Sequence, residues 1–211
     1  MNFFVLFQFM RDEFIRGLRS NEGAFGVELA SVVVERLADY FEFIQSHNPL
    51  LHLVGPCSPE EFGTRHILES LTLLKYLPKN AKLADVGAGA GLPSIPCLMV
   101  RSDLNAELIE SKEKKTKFLE TAVIELKLSD RTTVVNKQFE ETSLDNAEFI
   151  TCRALDKFSQ KLPRLLKWAK GRRILFFGNP LLGEQLRELG IEISAVLMPL
   201  SDHRYLFIGK A

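Results

Sequence analysis

Along the first eighty residues, apolar side chains recur at steps of three and four, the period of one helix face. Phe3, Phe7, Met10, Phe14 and Leu18 make one such stripe; Val33/Val34, Leu37, Tyr40/Phe41 and Ile44 make a second. Ser58-Pro59-Glu60-Glu61 predicts a helix start, with a capping serine, proline at the first helical position and glutamate three residues past the cap. A further helix is expected to carry Ile67, Leu71 and Leu74 on one face and to stop at Pro78.

At Lys82 the pattern changes to strands alternating with helices. Strands are expected at Lys82–Val86, Glu107–Glu110, Arg131–Asn136, Glu148–Cys152 and Arg172–Phe177. Between and after them, helices are expected at Leu92–Val100, around Phe118, Leu119, Ala122 and Leu126, and at Leu181–Leu189, closed by Gly190. Glu192–Leu200 and Arg204–Gly209, joined by Ser201-Asp202-His203, read as a terminal antiparallel hairpin. The expected fold is therefore α/β and Rossmann-like: a mostly parallel sheet closed at its edge by an antiparallel strand. Residues 1–80 form a helical N-terminal extension and 81–211 the ligand-binding domain, together one compact unit.

Composition narrows the function classes. The 211 residues are 46% hydrophobic, enough for a sizeable core, and carry zero formal net charge, so a nucleic-acid partner would need a local basic patch. Cys57, Cys97 and Cys152 lie far apart without a C-x-x-C pair, which argues against a disulfide framework or zinc site and favours a reducing cytoplasm. The phenylalanine-rich N-terminus lacks a basic leader and a small-residue cleavage site; it reads as a packing helix, with contact to a membrane surface as the alternative. No apolar run is long enough to span a bilayer, no metal is expected, and a monomer is.

The first strand runs into Asp85-Val86-Gly87-Ala88-Gly89-Ala90-Gly91 and then a helix. Glycines let backbone approach a ligand closely, and a helix start offers unpaired N–H groups. Residue 92 is leucine where a dinucleotide loop would need its third glycine, and no phosphate loop of the G-x-x-x-x-G-K type occurs. Asp85 suits the sulfonium or ammonium of S-adenosylmethionine better than a pyrophosphate. Glu110, one strand later, can accept hydrogen bonds from ribose hydroxyls. The bland alternatives are a tight turn without ligand and, for Glu110, a solvated strand end.

At this point the chain resembles the bacterial small-subunit (16S) rRNA guanine-N7 methyltransferases, also called glucose-inhibited division protein B. The resemblance rests on Arg65-His66-Ile67-Leu68-Glu69-Ser70-Leu71, the glycine loop continued by Leu92-Pro93-Ser94-Ile95-Pro96, Glu110-Ser111 with Lys114-Lys115, Phe118-Leu119, Glu125-Leu126-Lys127-Leu128, Phe139-Glu140-Glu141 and Arg153-Ala154. It implies a seven-stranded class I methyltransferase sheet, S-adenosylmethionine as donor, guanine N7 of small-subunit rRNA or of the small ribosomal subunit as acceptor, and a cytoplasmic enzyme. Carried over by position, Gly87 and Leu92 should line the cofactor, with Gly89 and Gly91 in the same loop. Phe139 and Glu140 should flank the adenine, Arg153 should reach the site from the fourth strand, and Asn48 should serve alignment. The chain departs from the family at Asn48-Pro49-Leu50, usually Asn-Leu-Thr, and at Asn179-Pro180, where many members carry lysine-glycine.

Guanine N7 has an in-plane lone pair and no proton, so its methylation needs alignment and no general base. The fourth strand ends Thr151-Cys152-Arg153, without the Asn/Asp-Pro-Pro-aromatic motif of exocyclic-amine methylation. Cys152 could be a nucleophilic thiol or a small buried residue, and Arg153 a cofactor or base clamp or the partner of a structural acid. Arg65, His66, Lys114, Lys115, Lys157, Lys161 and Arg164 are candidate RNA contacts. The last three belong to a basic stretch from Arg153 to Arg173 that is interrupted by Asp156, and they would share a helix face; a solvated face is the alternative. Two other functions remain open: a methyltransferase of a small molecule or protein, and a non-catalytic RNA- or cofactor-binding descendant. A nicotinamide dehydrogenase is discouraged by the glycine spacing.

Overall fold

The computed structural model describes residues 3–144, 146–153, 155 and 157–211, apart from the side chains of Phe3, Phe4 and Leu6. Ala154 of the Arg153-Ala154 pair, and Asp156 within the basic stretch, lie outside the described residues.

Both N-terminal stripes are helices. Helix α1 (Phe3–Asn21) buries Phe14 and Leu18, and α2 (Ser31–Leu51) buries Val34, Leu37, Tyr40, Phe41 and Ile44. The Phe14 ring stacks on Phe41 at 4.7 Å, and Phe62 closes edge-on over Phe41 at 5.0 Å. The two later helices expected from the sequence are one continuous run: α3 (Pro59–Phe62), a π-helical segment (Gly63–Leu68), α4 (Glu69–Leu71) and a 3₁₀ turn (Thr72–Tyr76). Ser58 Oγ accepts from the Glu61 N–H at 3.1 Å, and Pro59 occupies the first turn. The π segment has no signature in the apolar spacing; π turns are rare and concentrate at functional sites.

The remaining elements are β1 (Lys82–Val86), α5 (Ser94–Val100), β2 (Asn105–Ile109), α6 (Glu113–Glu125), β3 (Thr132–Val135), β4 (Phe149–Cys152), α7 (Phe158–Trp168), β5 (Arg173–Gly178), α8 (Pro180–Glu188), β6 (Ile193–Leu197) and β7 (Tyr205–Lys210). They build a seven-stranded sheet in the order β3-β2-β1-β4-β5-β7-β6, parallel from β3 to β5. The antiparallel hairpin is present, but its last strand is not at the edge. Strand β7 inserts between β5 and β6, antiparallel to both, and β6 takes the edge. Helix α5 starts at Ser94 rather than Leu92, with Pro93 at its N-cap.

Alternation along the strands sorts side chains between two cores. Leu83, Leu108, Phe149, Leu175, Phe177 and Leu206 face the helical N-terminal side with α5 and α6. Ala84, Val86, Ile109, Ile150, Cys152, Ile174, Phe176 and Phe207 face α7 and α8. The first core runs without a break from Phe14 of α1 to the sheet, so the helical part and the sheet share one interior. No helix among the described residues is long and apolar enough to cross a membrane.

Candidate active site

In open α/β sheets, ligands bind beyond the carboxyl ends of the strands. Here that region is a cleft of about 490 Å³. Its floor is the glycine loop, and it is walled by residues from both faces of the sheet.

Gly87 and Gly91 adopt φ of +72° and +90°, which L side chains rarely take. A Cβ on Gly91 would stand 2.3 Å from Ile95 Cδ1, and one on Gly87 2.9 Å from Leu155 Cδ1. The loop is fixed from several directions. Gly87 and Ala88 donate to the Ile109 carbonyl at 2.9 and 3.2 Å, and Gly89 N–H to Glu110 Oε2 at 3.1 Å. Tyr40 Oη, reaching from α2, donates to the Ala90 carbonyl at 2.6 Å.

Glu110 Oε1 also accepts from the Lys112 N–H at 2.8 Å. Each carboxylate oxygen thus holds one backbone N–H and keeps a further lone pair for a ligand hydroxyl. Phe139 lines the cleft with its edge against Trp168, ring centroids 5.6 Å apart.

Asp85 lies beneath the loop, fully buried and outside the cleft lining. Its Oδ2 accepts from the Ser94 N–H at 3.3 Å, while Oδ1 has no partner among the described residues. Burial pushes its carboxyl up to about 7, against the hydrogen bond from Ser94.

Arg153 comes from the end of β4 into the cleft. It donates to Glu69 Oε2 at 3.1 Å, to Ser70 Oγ at 3.2 Å and to the Arg65 carbonyl, and lies 5.3 Å over the Phe177 ring. The Glu69 side chain is 2% exposed, and its other oxygen accepts from Arg204 Nε at 2.6 Å. Arg153 is thus the partner of a buried acid, Glu69, and it also lines the cleft.

His66 is seated on the Phe62 ring at 4.8 Å and lines the cleft beside Arg153. Burial, reinforced by Arg153, Arg65 and Arg204, pushes its imidazole down to about 3. The Cys152 thiol is buried and pushed far up by desolvation, which makes it inert as a nucleophile.

The cleft brings together Gly87, Gly89, Leu92, Glu110, Phe139, Arg153, His66, Lys115 and Lys161 from the sequence-based set. It leaves out Gly91 and Asp85, which support the loop, and Glu140, which pairs at 3.3 Å with Arg164. Arg65 pairs with Glu61, Lys114 is exposed beyond the rim, and Lys157 sits at the start of α7 in a left-handed turn with φ +54°. Lys157 therefore does not extend the helix face of Lys161 and Arg164. Asn48 is also outside the lining, bonded instead to the segment that follows α2.

The structure adds Leu53, Val54, Gly55, Lys137, Gln138 and Leu155, and brings Ser111 and Lys112 to the lining from beside Glu110. Lys112 and Lys137 sit just after the ends of β2 and β3, a position from which rim residues can be expected. Leu53–Gly55 carry no local signal.

Strand order, a glycine loop after β1 and an acid after β2 define the S-adenosylmethionine-dependent methyltransferase fold. A solved S-adenosylmethionine-dependent methyltransferase from Aquifex aeolicus superposes with a TM-score of 0.54 at 16% identity, over 68% of this chain and 90% of that one. The family described as rRNA small subunit methyltransferase G matches residues 33–180. Ribosomal RNA small subunit methyltransferase G of Neisseria meningitidis serogroup C is 36% identical over 137 residues, 65% of this chain and 66% of the relative. Its namesake in Chromobacterium violaceum is 31% identical over 183 residues, 85% of this chain and 88% of the relative. The chain belongs to the rRNA small subunit methyltransferase G family.

Proposed function

We propose that this protein transfers a methyl group from S-adenosylmethionine to N7 of a guanine in small-subunit (16S) rRNA, in the cytoplasm and as a monomer. Family membership gives the acceptor class, and the chemistry of the cleft supports the position. Among the described residues its one carboxylate, Glu110, is held by two backbone N–H groups. The imidazole among those lining residues, His66, is a very weak base. A cleft so poor in general bases suits a nucleophile that has no proton to lose. That is the observation that carries the reading.

The residues fit the donor. The side-chain-free loop at Gly87 and Gly89 admits a ligand close to backbone, and the unpartnered Asp85 Oδ1 lies under that loop. Glu110 would hold the ribose, Phe139 would pack on the adenine, and Leu92 and Arg153 would bound the amino-acid end. When bound, S-adenosylmethionine supplies a methyl group whose bond to sulfur breaks with the electron pair left on sulfur.

Lys112, Lys115, Lys137 and Lys161, converging from three separate segments, give the cleft a basic rim for phosphates. Such a rim favours RNA over a small-molecule or protein acceptor. The test is mass-spectrometric mapping of 16S rRNA from cells lacking the protein, with purified protein then added to the undermethylated small subunits. One 7-methylguanosine should vanish in the cells and return in the tube. Binding of S-adenosylmethionine with no methylation of those subunits would sink the reading.

A further inference from the structure

Phe139 lines the cleft although it is only 2% exposed, so the direction of its ring is set from behind. Behind it stands α7. Lys161, Arg164 and Trp168 follow one another at steps of three and four, one face of that helix. Lys161 reaches the cleft lining, Arg164 pairs with Glu140 at 3.3 Å, and Trp168 meets the Phe139 ring edge-on, centroids 5.6 Å apart. The Trp168 indole N–H also donates to the Thr142 carbonyl at 3.0 Å. We propose that Trp168 is a positioning residue for donor binding, holding the Phe139 ring and the turn that carries it where adenine packs. The inference rests on the reading of Phe139 as the adenine contact.

Other groups brace the backbone of the 3₁₀ turn Phe139–Glu141. Gln138 N–H donates to Glu141 Oε2 at 3.0 Å, and Thr142 Oγ1 to the Phe139 carbonyl at 2.8 Å. Asn136 Nδ2 ties the start of the segment to the Glu110 carbonyl at 3.0 Å, and Arg172 holds the Leu144 carbonyl at its end at 2.9 Å. None of these bonds orients the Phe139 ring. The Arg164–Glu140 pair does not either, and with Arg164 exposed it contributes little.

Trp168 supplies what they leave out. In an edge-to-face pair the positive rim of one ring meets the negative face of the other, which fixes a direction as well as a distance. The indole is fixed in turn by its one donor, the N–H on Thr142. Trp168 lies outside the cleft lining, so it acts on a ligand through Phe139 and not by touching it. In the donor, adenine is separated from the sulfonium methyl by the ribose. A contact there holds ground state and transition state alike, so weakening it raises KM and leaves kcat unchanged.

Trp168→Leu removes both the ring edge and the N–H, whereas Trp168→Phe keeps a ring and removes the N–H. Calorimetry with S-adenosylhomocysteine and with adenosine reads binding, and steady-state methylation of undermethylated small subunits reads KM and kcat. Trp168→Leu should weaken both ligands roughly tenfold and raise KM for S-adenosylmethionine as much, with kcat and KM for subunits within about twofold of the parent. Trp168→Phe should fall between, at about threefold. Trp168 is the one tryptophan of the chain, so its emission in the parent protein should change saturably with either ligand, an arm that needs no variant to fold. Parent-like affinity in both variants, a drop in kcat at unchanged KM, or unchanged emission at saturating ligand would each overturn the role of Trp168. Phe139→Leu separates that failure from a failure of the reading beneath it. If it weakens S-adenosylhomocysteine and the Trp168 variants do not, adenine still packs on Phe139 and the positioning inference alone falls. If Phe139→Leu binds like the parent, the adenine reading falls with it.

Discussion

The two sides of the cleft are made by different means. The glycine-loop side is backbone: a loop whose glycines sit at positive φ, strand ends, and one carboxylate that ties the loop down. The opposite side is a side-chain lattice: Asn48 on Leu53 and Val54, and Glu69 between Arg153 and Arg204, with Ser70 and the Arg65 carbonyl completing the hold on Arg153. Backbone geometry of this kind is carried by a short run of sequence. Around Arg153 and Glu69 the lattice joins residues 83 to 135 positions apart, through Ser70–Arg153 and Glu69–Arg204. A substitution on the first side should act on binding by deforming a turn; one on the second should act by stranding a charge.

The sharpest break of the first kind is Gly91→Val. The residue would have to hold φ near +90° and place its Cβ against Ile95, whose side chain is fully buried. Strain of about 1–3 kcal/mol from the backbone and a similar amount from overpacking are expected together. The loop should shift, with S-adenosylhomocysteine affinity falling by roughly 100-fold or more. Calorimetry reads the affinity, and a urea melt the stability.

The second kind is broken by Glu69→Gln, which leaves Arg153 and Arg204 facing each other without their shared anion. Losing one partner of a buried pair costs about 3–5 kcal/mol. The urea midpoint should fall accordingly, while the glycine loop, which Glu69 does not touch, keeps its hydrogen bonds. If Glu69→Gln melts like the parent protein, the contrast between the two sides fails.

This contrast also explains what could be read without a structure. The glycine loop, Glu110, and the Ser58-Pro59 helix start were legible because each is a local pattern with a local cause. So were β1, β4 and β5, whose near-continuous apolar runs follow from having a core on both faces. Arg153 could be placed at the end of β4, but not its acid: Glu69 shares no local pattern with it. The π segment was invisible because its widened turn keeps Ile67 and Leu71 on the buried face, as an α-helix would. Strand β7's insertion between β5 and β6 depends on which neighbour the hairpin chooses, a question of tertiary packing that alternation does not address.

A smaller effect separates the two sides by pH. The imidazole of His66 is pushed from 6.5 to about 3, so between those values the unfolded chain binds a proton that the folded chain does not. Its contribution to stability is therefore full above about pH 6.5 and is lost as pH falls toward 3. Asp85 acts oppositely: its carboxyl is raised from 3.8 to about 7, so the folded chain holds the extra proton in that window, and stability from this group grows as pH falls through it. The two partly cancel in the parent protein. His66→Gln removes only the first, so relative to the parent its stability should rise as pH falls from 6.5 to 4.5. The same pH profile in both would place the acid sensitivity elsewhere.

The smallest effect is expected where the chain departs from its family. Asn179-Pro180, where the resemblance led to lysine-glycine being expected, lies next to the carboxyl end of β5. The structure uses the pair to start α8: Asn179 Oδ1 accepts from the Leu182 N–H at 3.3 Å, and Pro180 takes the first helical position. Neither residue lines the cleft. Asn179→Ala should therefore cost about 1 kcal/mol, the usual loss for an N-cap, with S-adenosylhomocysteine binding and methylation unchanged. A lysine at 179 would give up the cap and add a cation beside β5. If Asn179→Lys strengthened RNA binding and Asn179→Ala changed only the melt, charge at this position would be separable from the helix it starts. A loss of methylation in Asn179→Ala would instead extend the functional surface past β4 to the end of β5.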